Sequence, residues 1–103
     1  MADPLKIRRE SLRWNLLNTL NYHRPYSMHE QRLLEVALVL YPDATPAELR
    51  RELHYLEGRA LLSLTRQPSG TWFADLTRAG VDLCDYTVDC DPGIARPVKY
   101  WSS

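Results

Sequence analysis

Cysteine, glycine and net charge are what this 103-residue chain has little of: two cysteines, four glycines, and thirteen basic side chains balanced by thirteen acidic ones. A disulfide between the two is geometrically conceivable but needs an oxidising setting. Cys84 and Cys90 are too far apart in sequence to be the tight pair that opens a structural zinc site. His23, His29 and His54 fall in separate segments, and the aspartates around the cysteines lack the glycine and glutamate placement of a calcium loop. These cysteines read as one buried thiol and one incidental thiol beside an acidic surface. So few glycines leave no phosphate-cradling loop, and no serine, histidine and carboxylate group together as nucleophilic catalysis requires. Neither catalysis nor a metal or cofactor is expected. The longest apolar run, Val36 to Tyr41, is six residues, against about 20 for a bilayer-spanning helix. The N-terminus, Met-Ala-Asp-Pro followed by charged residues, has no secretory pattern. With the sparse cysteines it predicts a reducing, cytosolic setting and no membrane partner.

What is present is the mix of an ordinary globular domain, 45% hydrophobic and 25% charged, enough for one modest core. The charge is unevenly spread. Residues 1–24 hold Lys6, Arg8, Arg9, Arg13 and Arg24 against Asp3 and Glu10, whereas residues 75–92 hold Asp75, Asp82, Asp85, Asp89 and Asp91 against Arg78 alone. The basic N-terminal end suits a phosphate backbone, or is simply a solvated helix face.

Leucines at 12, 16 and 20, widened by Leu5, Trp14 and Leu17, predict a helix over about 5–22, ended by His23-Arg24-Pro25. Ser27 and Glu30 have the spacing of a capping box for a second helix, with Leu33, Leu34, Ala37, Leu38 and Tyr41 inward. Thr45-Pro46-Ala47-Glu48 signals a third start. That helix, over 46–58, has Leu49, Leu53 and Leu56 inward, Arg50, Arg51, His54 and Glu57 outward, and Gly58 placed to end it. Residues 60–66 and 71–76 have strand character around the turn Gln67-Pro68-Ser69-Gly70, which makes a hairpin. Thr77 then caps a short helix to about Tyr86, with Val81, Leu83 and Cys84 inward. Residues 87–103 read as an extended tail that either packs across the domain or waits for a partner.

Three helices, a two-stranded hairpin and a fourth helix are the order of a winged helix-turn-helix domain, here over 5–86. The class is mainly α, an α+β fold. The stretch Glu48-Leu49-Arg50-Arg51-Glu52-Leu53-His54-Tyr55-Leu56-Glu57-Gly58-Arg59-Ala60-Leu61-Leu62 resembles the recognition helix and first wing strand of many bacterial winged-helix proteins. Leu76-Thr77-Arg78-Ala79-Gly80-Val81-Asp82-Leu83 resembles the phrase after their wing. Together with Cys84-Asp85-Tyr86, Asp91-Pro92-Gly93-Ile94-Ala95-Arg96-Pro97 and Tyr100-Trp101, it is similar to small winged-helix proteins of Mu-like transposable phages and prophages.

The resemblance implies a phage- or prophage-encoded regulator in a bacterial cytoplasm. It would read double-stranded DNA with helix 46–58 and the wing 61–76, as a homodimer. Arg50, Arg51 and His54 on the helix are the candidate base and phosphate contacts, with Arg66, Gln67, Ser69 and Thr71 on the wing. Against this, three acids balance three arginines from Thr45 to Arg59, so those arginines can equally pair with glutamates on an exposed face. The alternative is a winged-helix protein–protein or phage-assembly accessory without DNA binding. In the tail, Tyr100 and Trp101 beside Arg96 and Lys99 either anchor a partner or second subunit, or fold back onto the domain.

Overall fold

Asp3 opens the structure. Its carboxylate accepts a hydrogen bond from the Leu5 amide at 3.0 Å, and Pro4 takes the first helical position, where a missing N–H costs nothing. The computed structural model describes residues 2–99. Helix α1 (Pro4–His23) buries Leu12, Leu16, Leu17 and Leu20 along one stripe. Leu5, expected on that stripe, is 66% exposed, because the first turn projects beyond the core.

The expected Ser27–Glu30 capping box does not form. Met28 and His29 instead make a short strand, β1, with Met28 opposite Ala74 and His29 opposite Phe73. Helix α2 (Glu30–Leu40) is capped by His29, whose Nδ1 accepts from the Gln31 amide at 3.0 Å. The Glu30 carboxylate is drawn away by stronger, charge-assisted partners described below. Leu33 and Ala37 are buried and Leu34 and Tyr41 pack partly, but Leu38 lies on the rim.

Helix α3 (Pro46–Gly58) begins as its sequence directs, the Thr45 hydroxyl accepting from the Glu48 amide at 3.1 Å. Leu49, Leu53 and Leu56 are buried as expected, and so is Glu52. The helix ends at Gly58, but the left-handed residue that terminates it is Ala60, with φ 59°. Leu61 N–H then bonds back to the Leu56 carbonyl and Ala60 N–H to that of Glu57, satisfying carbonyls that the helix end leaves open.

Strands β2 (Leu62–Arg66) and β3 (Trp72–Leu76) pair antiparallel from Leu62 opposite Leu76 to Arg66 opposite Trp72. Gly70 at φ 93° turns the tip, closed by Gln67 N–H to the Thr71 carbonyl at 2.9 Å. The sheet has three strands in the order β1-β3-β2. The third strand went unforeseen because two residues carry no alternation to read. Thr77 caps α4 (Arg78–Cys84), accepting from the Gly80 amide at 3.1 Å. This helix stops short of Tyr86, which adopts a left-handed φ of 62°.

The described part of the tail takes the first of its two open readings, packing back across α1. Ala95 N–H bonds to the Glu10 carbonyl at 3.1 Å, and Ile94 joins the same buried cluster as the helix leucines and Ala74. The molecule is an α+β fold with one core. Among the described residues no helix is long and apolar enough to cross a membrane.

Candidate nucleic-acid interface

Helix α3 is held along both flanks by ion pairs to other elements. On the hairpin side Arg50 makes a two-bond clamp to Glu30 of α2, with Nε to Oε1 and Nη2 to Oε2 both at 2.7 Å. The same guanidinium donates to the Gly70 carbonyl at the hairpin tip and lies 4.4 Å from the centroid of the Trp72 ring. Glu30 completes the junction by accepting from the Trp72 amide at 2.7 Å. Two turns further along, Glu57 receives both ends of the Arg66 guanidinium at 2.9 Å. Arg66 lies 4.5 Å from the Trp72 ring. Two arginines on one indole thus fix the hairpin against α3.

On the opposite flank Arg8 of α1 clamps Glu48 at 2.7 and 2.9 Å and reaches Asp43 at 2.9 Å. Arg13 bonds Glu52 at 2.7 Å, donates to the Gly93 carbonyl at 2.9 Å and stacks 3.5 Å from the Tyr55 ring centroid. The guanidinium hydrogen bonds hold the Glu30, Glu48 and Glu57 carboxyls below the ordinary glutamate range, with Arg50, Arg8 and Arg66 the respective partners. The three arginines are raised by the same bonds.

Between these flanks Ala47, Arg51, His54 and Gly58 run along the solvent side of α3, at i, i+4, i+7 and i+11, and all four are exposed. That spacing is one ridge of a helix. A Cβ built on Gly58 meets nothing within 4 Å, and Ala47 is scarcely larger, so both ends of the ridge are low. Arg51 is 68% exposed, and its nearest acid is Glu52 at 3.8 Å, too long for a hydrogen bond. His54 lies 3.5 Å from Glu57.

The residues that sequence reasoning singled out therefore separate into two groups. Arg50 and Arg66 sit in clamps that join elements; Arg51 and His54 stand open on the ridge. Gln67, Ser69 and Thr71 are at the hairpin tip. Ser69 and Thr71 border a cleft of about 420 Å³ whose opposite wall is Leu34, Pro46 and Leu49. Tyr100 and Trp101 lie outside the described residues. The surface pairing expected within α3 occurs, but mostly between elements: Glu48 and Glu57 bond Arg8 and Arg66 rather than Arg51 and Arg50. Local spacing does not identify Glu30, Trp72, Arg8 and Arg13 as partners of α3 and the hairpin. Their partners are 20 or more residues away, beyond any local spacing rule.

Cys84 is buried, and that burial pushes its thiol up to about 11, which makes it a poor nucleophile or ligand at neutral pH. Among the described residues no three His, Cys, Asp or Glu side chains gather as a metal site. No protein-family model, curated protein or solved structure gives a significant match to the chain.

Proposed function

We propose that this chain is a winged-helix DNA-binding protein in which α3 enters the major groove and the β2–β3 hairpin lies beside it as the wing. One observation carries the reading. The open ridge of α3 presents only Ala47, Arg51, His54 and Gly58, beside a hairpin held rigidly to the same helix through Arg50, Trp72 and Arg66. A helix with low ends and long polar side chains at its middle can approach base edges closely, and an arginine there can bond guanine N7 and O6 together. Arg51 and His54 are then the readers. Gln67, Ser69 and Thr71 face phosphates from the wing tip, while Arg50 and Arg66 act through the wing they position. A single module of this size touches few bases, so a homodimer on two half-sites is the working assembly. A bacterial cytoplasm and a phage or prophage programme are the setting that the sequence resemblance suggests.

Replacing Arg51 with alanine tests this. A lost two-bond guanine contact is worth about 1–3 kcal/mol, so affinity for the preferred site falls about 5- to 150-fold while the melting temperature stays put. Arg50→Ala shows the reverse pattern, a lower melting temperature with DNA affinity falling only as far as the wing loosens. Unchanged affinity in Arg51→Ala would remove α3 as the reader.

A second reading rests on the clamps themselves. Arg50 and Arg66 spend their charge on Glu30 and Glu57, and the chain is neutral overall. A neutral, rigid face suits a protein partner, and such a contact is nearly insensitive to salt.

A further inference from the structure

The middle of the α3 ridge rests on a buried acid. Glu52, next to Arg51 in the chain, has no exposed side-chain area, and Arg13 of α1 bonds only one of its oxygens, Oε1 at 2.7 Å. Oε2 is buried with no hydrogen-bond partner among the described residues. The Arg51 Nε stands 3.8 Å from it. That gap is too long for a hydrogen bond and too short to admit a water between the two groups. Closing it by about 1 Å reaches the charge-assisted distance. Arg51 is 68% exposed, so its side chain can make that adjustment without disturbing the core.

A guanidinium carries its N–H donors in one fixed plane. With Nε given to Glu52, the outer donors on Nη1 and Nη2 remain as a pair for a ligand. Guanine offers two acceptors, N7 and O6, on its major-groove edge, whereas adenine places a donor in the second position. An arginine anchored through Nε therefore meets guanine with both outer donors and adenine with one. Glu52 cannot swing with the arginine, because Arg13 fixes it while stacked on Tyr55 and bonded to the Gly93 carbonyl. Arg13 also offsets the acid's charge, so the carboxylate does not cancel the cation on the ridge.

We infer that Glu52 is the positioning residue for Arg51. Its unbonded oxygen takes the Arg51 Nε–H when α3 meets DNA, and this orients the guanidinium for one guanine. The inference rests on the DNA reading proposed above and adds to it the group that makes Arg51 selective.

Duplexes selected from a random-sequence pool by the full chain and by two variants test it. Arg51→Ala should erase a preference for guanine at one position of the site. Glu52→Gln keeps the shape and an acceptor for Arg13, but exchanges a charge-assisted bond to Arg51 for a weaker neutral one. Its preference for that guanine over adenine should fall about 5- to 10-fold. The dependence of its affinity on salt should match the parent's, because no cation is removed. Equal weakening on every sequence would show a merely structural role for Glu52 and overturn the inference. A preference lost in Arg51→Ala but intact in Glu52→Gln would also overturn it and leave the DNA reading standing. A preference intact in both variants would remove that reading as well. The parent complex gives a readout that needs no variant of Glu52: the Arg51 Nε–H proton, followed by NMR, should exchange with water more slowly once a guanine-bearing duplex is bound. Exchange as rapid as in the free protein would contradict the proposal.

Discussion

At Glu52 a carboxylate is wholly removed from water, with no exposed side-chain area. One oxygen is bonded to Arg13; the other has no hydrogen-bond partner among the described residues. Burying a charge costs several kcal/mol, and a partner of good geometry offsets it only while that partner remains. Arg13 also does three jobs with one side chain: it neutralises Glu52, covers the Tyr55 ring and holds the tail at the Gly93 carbonyl. Arg13→Ala therefore destabilises the fold by about 3–5 kcal/mol, a large share of the roughly 5–15 kcal/mol typical of a domain. Urea denaturation measures it. Adding Glu52→Leu to that variant should restore part of the loss, since the orphaned charge goes with it. A double variant as unstable as the single one would place the cost in the lost packing of Arg13 instead.

Between elements the same logic operates through the clamps. Glu30 joins α2, α3 and β3; Glu57 joins α3 and β2; Glu48 joins α3 and α1. Each carboxyl titrates below its ordinary value of about 4.5 because an arginine bonds its charged form. A depressed folded pKa binds protons less readily than the unfolded chain does, so the stability it contributes is complete above that ordinary value. It is lost as pH falls through about 4.5 and on through the lower folded values. Melting temperature should thus hold level above about pH 5 and drop below it, with a shallower drop in Glu30→Gln. A melting temperature that rises on acidification would contradict the clamps. A steric prediction belongs at this scale too. A Cβ on Gly80 would run into the Leu61 carbonyl and the Leu76 side chain. Gly80→Ala must therefore push α4 off the β2 end of the sheet, and overpacking of this kind costs about 1–3 kcal/mol. Stability equal to the parent in that variant would mean α4 packs elsewhere.

The elements also show what a sequence can disclose. Thr45 and Thr77 cap their helices because donor and acceptor are three residues apart, within reach of any local pattern. The leucines of α1 and α3 were legible for the same reason, since helical period alone assigns their face. Ser27 and Glu30 had equally good local spacing and failed, because Glu30 finds Arg50 and the Trp72 amide, 20 and 42 residues on. Arg50 and Arg66 were legible as outward cations but not as tethered ones. What sets Arg51 apart from Arg50 is its position on the helix relative to a hairpin whose placement no spacing reveals.

For the whole molecule, charge neutrality is an arrangement rather than an absence. Arg8, Arg13, Arg50 and Arg66 pair with acids on other segments, which ties α1, α2, α3 and the hairpin together and leaves Arg51 and His54 as the polar groups on the α3 ridge. On the adjoining end of α1, exposed Leu5 lines a groove with Thr45 and Glu48 at the start of α3. Arg9 lines the groove shared with Arg51. If α3 reads DNA as proposed, a surface whose arginines are largely tethered holds it by a small electrostatic term and a larger share of base contact.

The measurement that tests this account most directly is the affinity of the full chain for short duplex DNA, followed by fluorescence anisotropy as salt is raised. Neutralising two or three phosphates gives a logarithmic slope of roughly −2 to −3. The account predicts binding at low salt with a slope in that range, and an affinity about 5- to 150-fold weaker in Arg51→Ala with the fold intact. No binding at the lowest salt would contradict it and make the neutral face of α3 and the hairpin a surface for a protein.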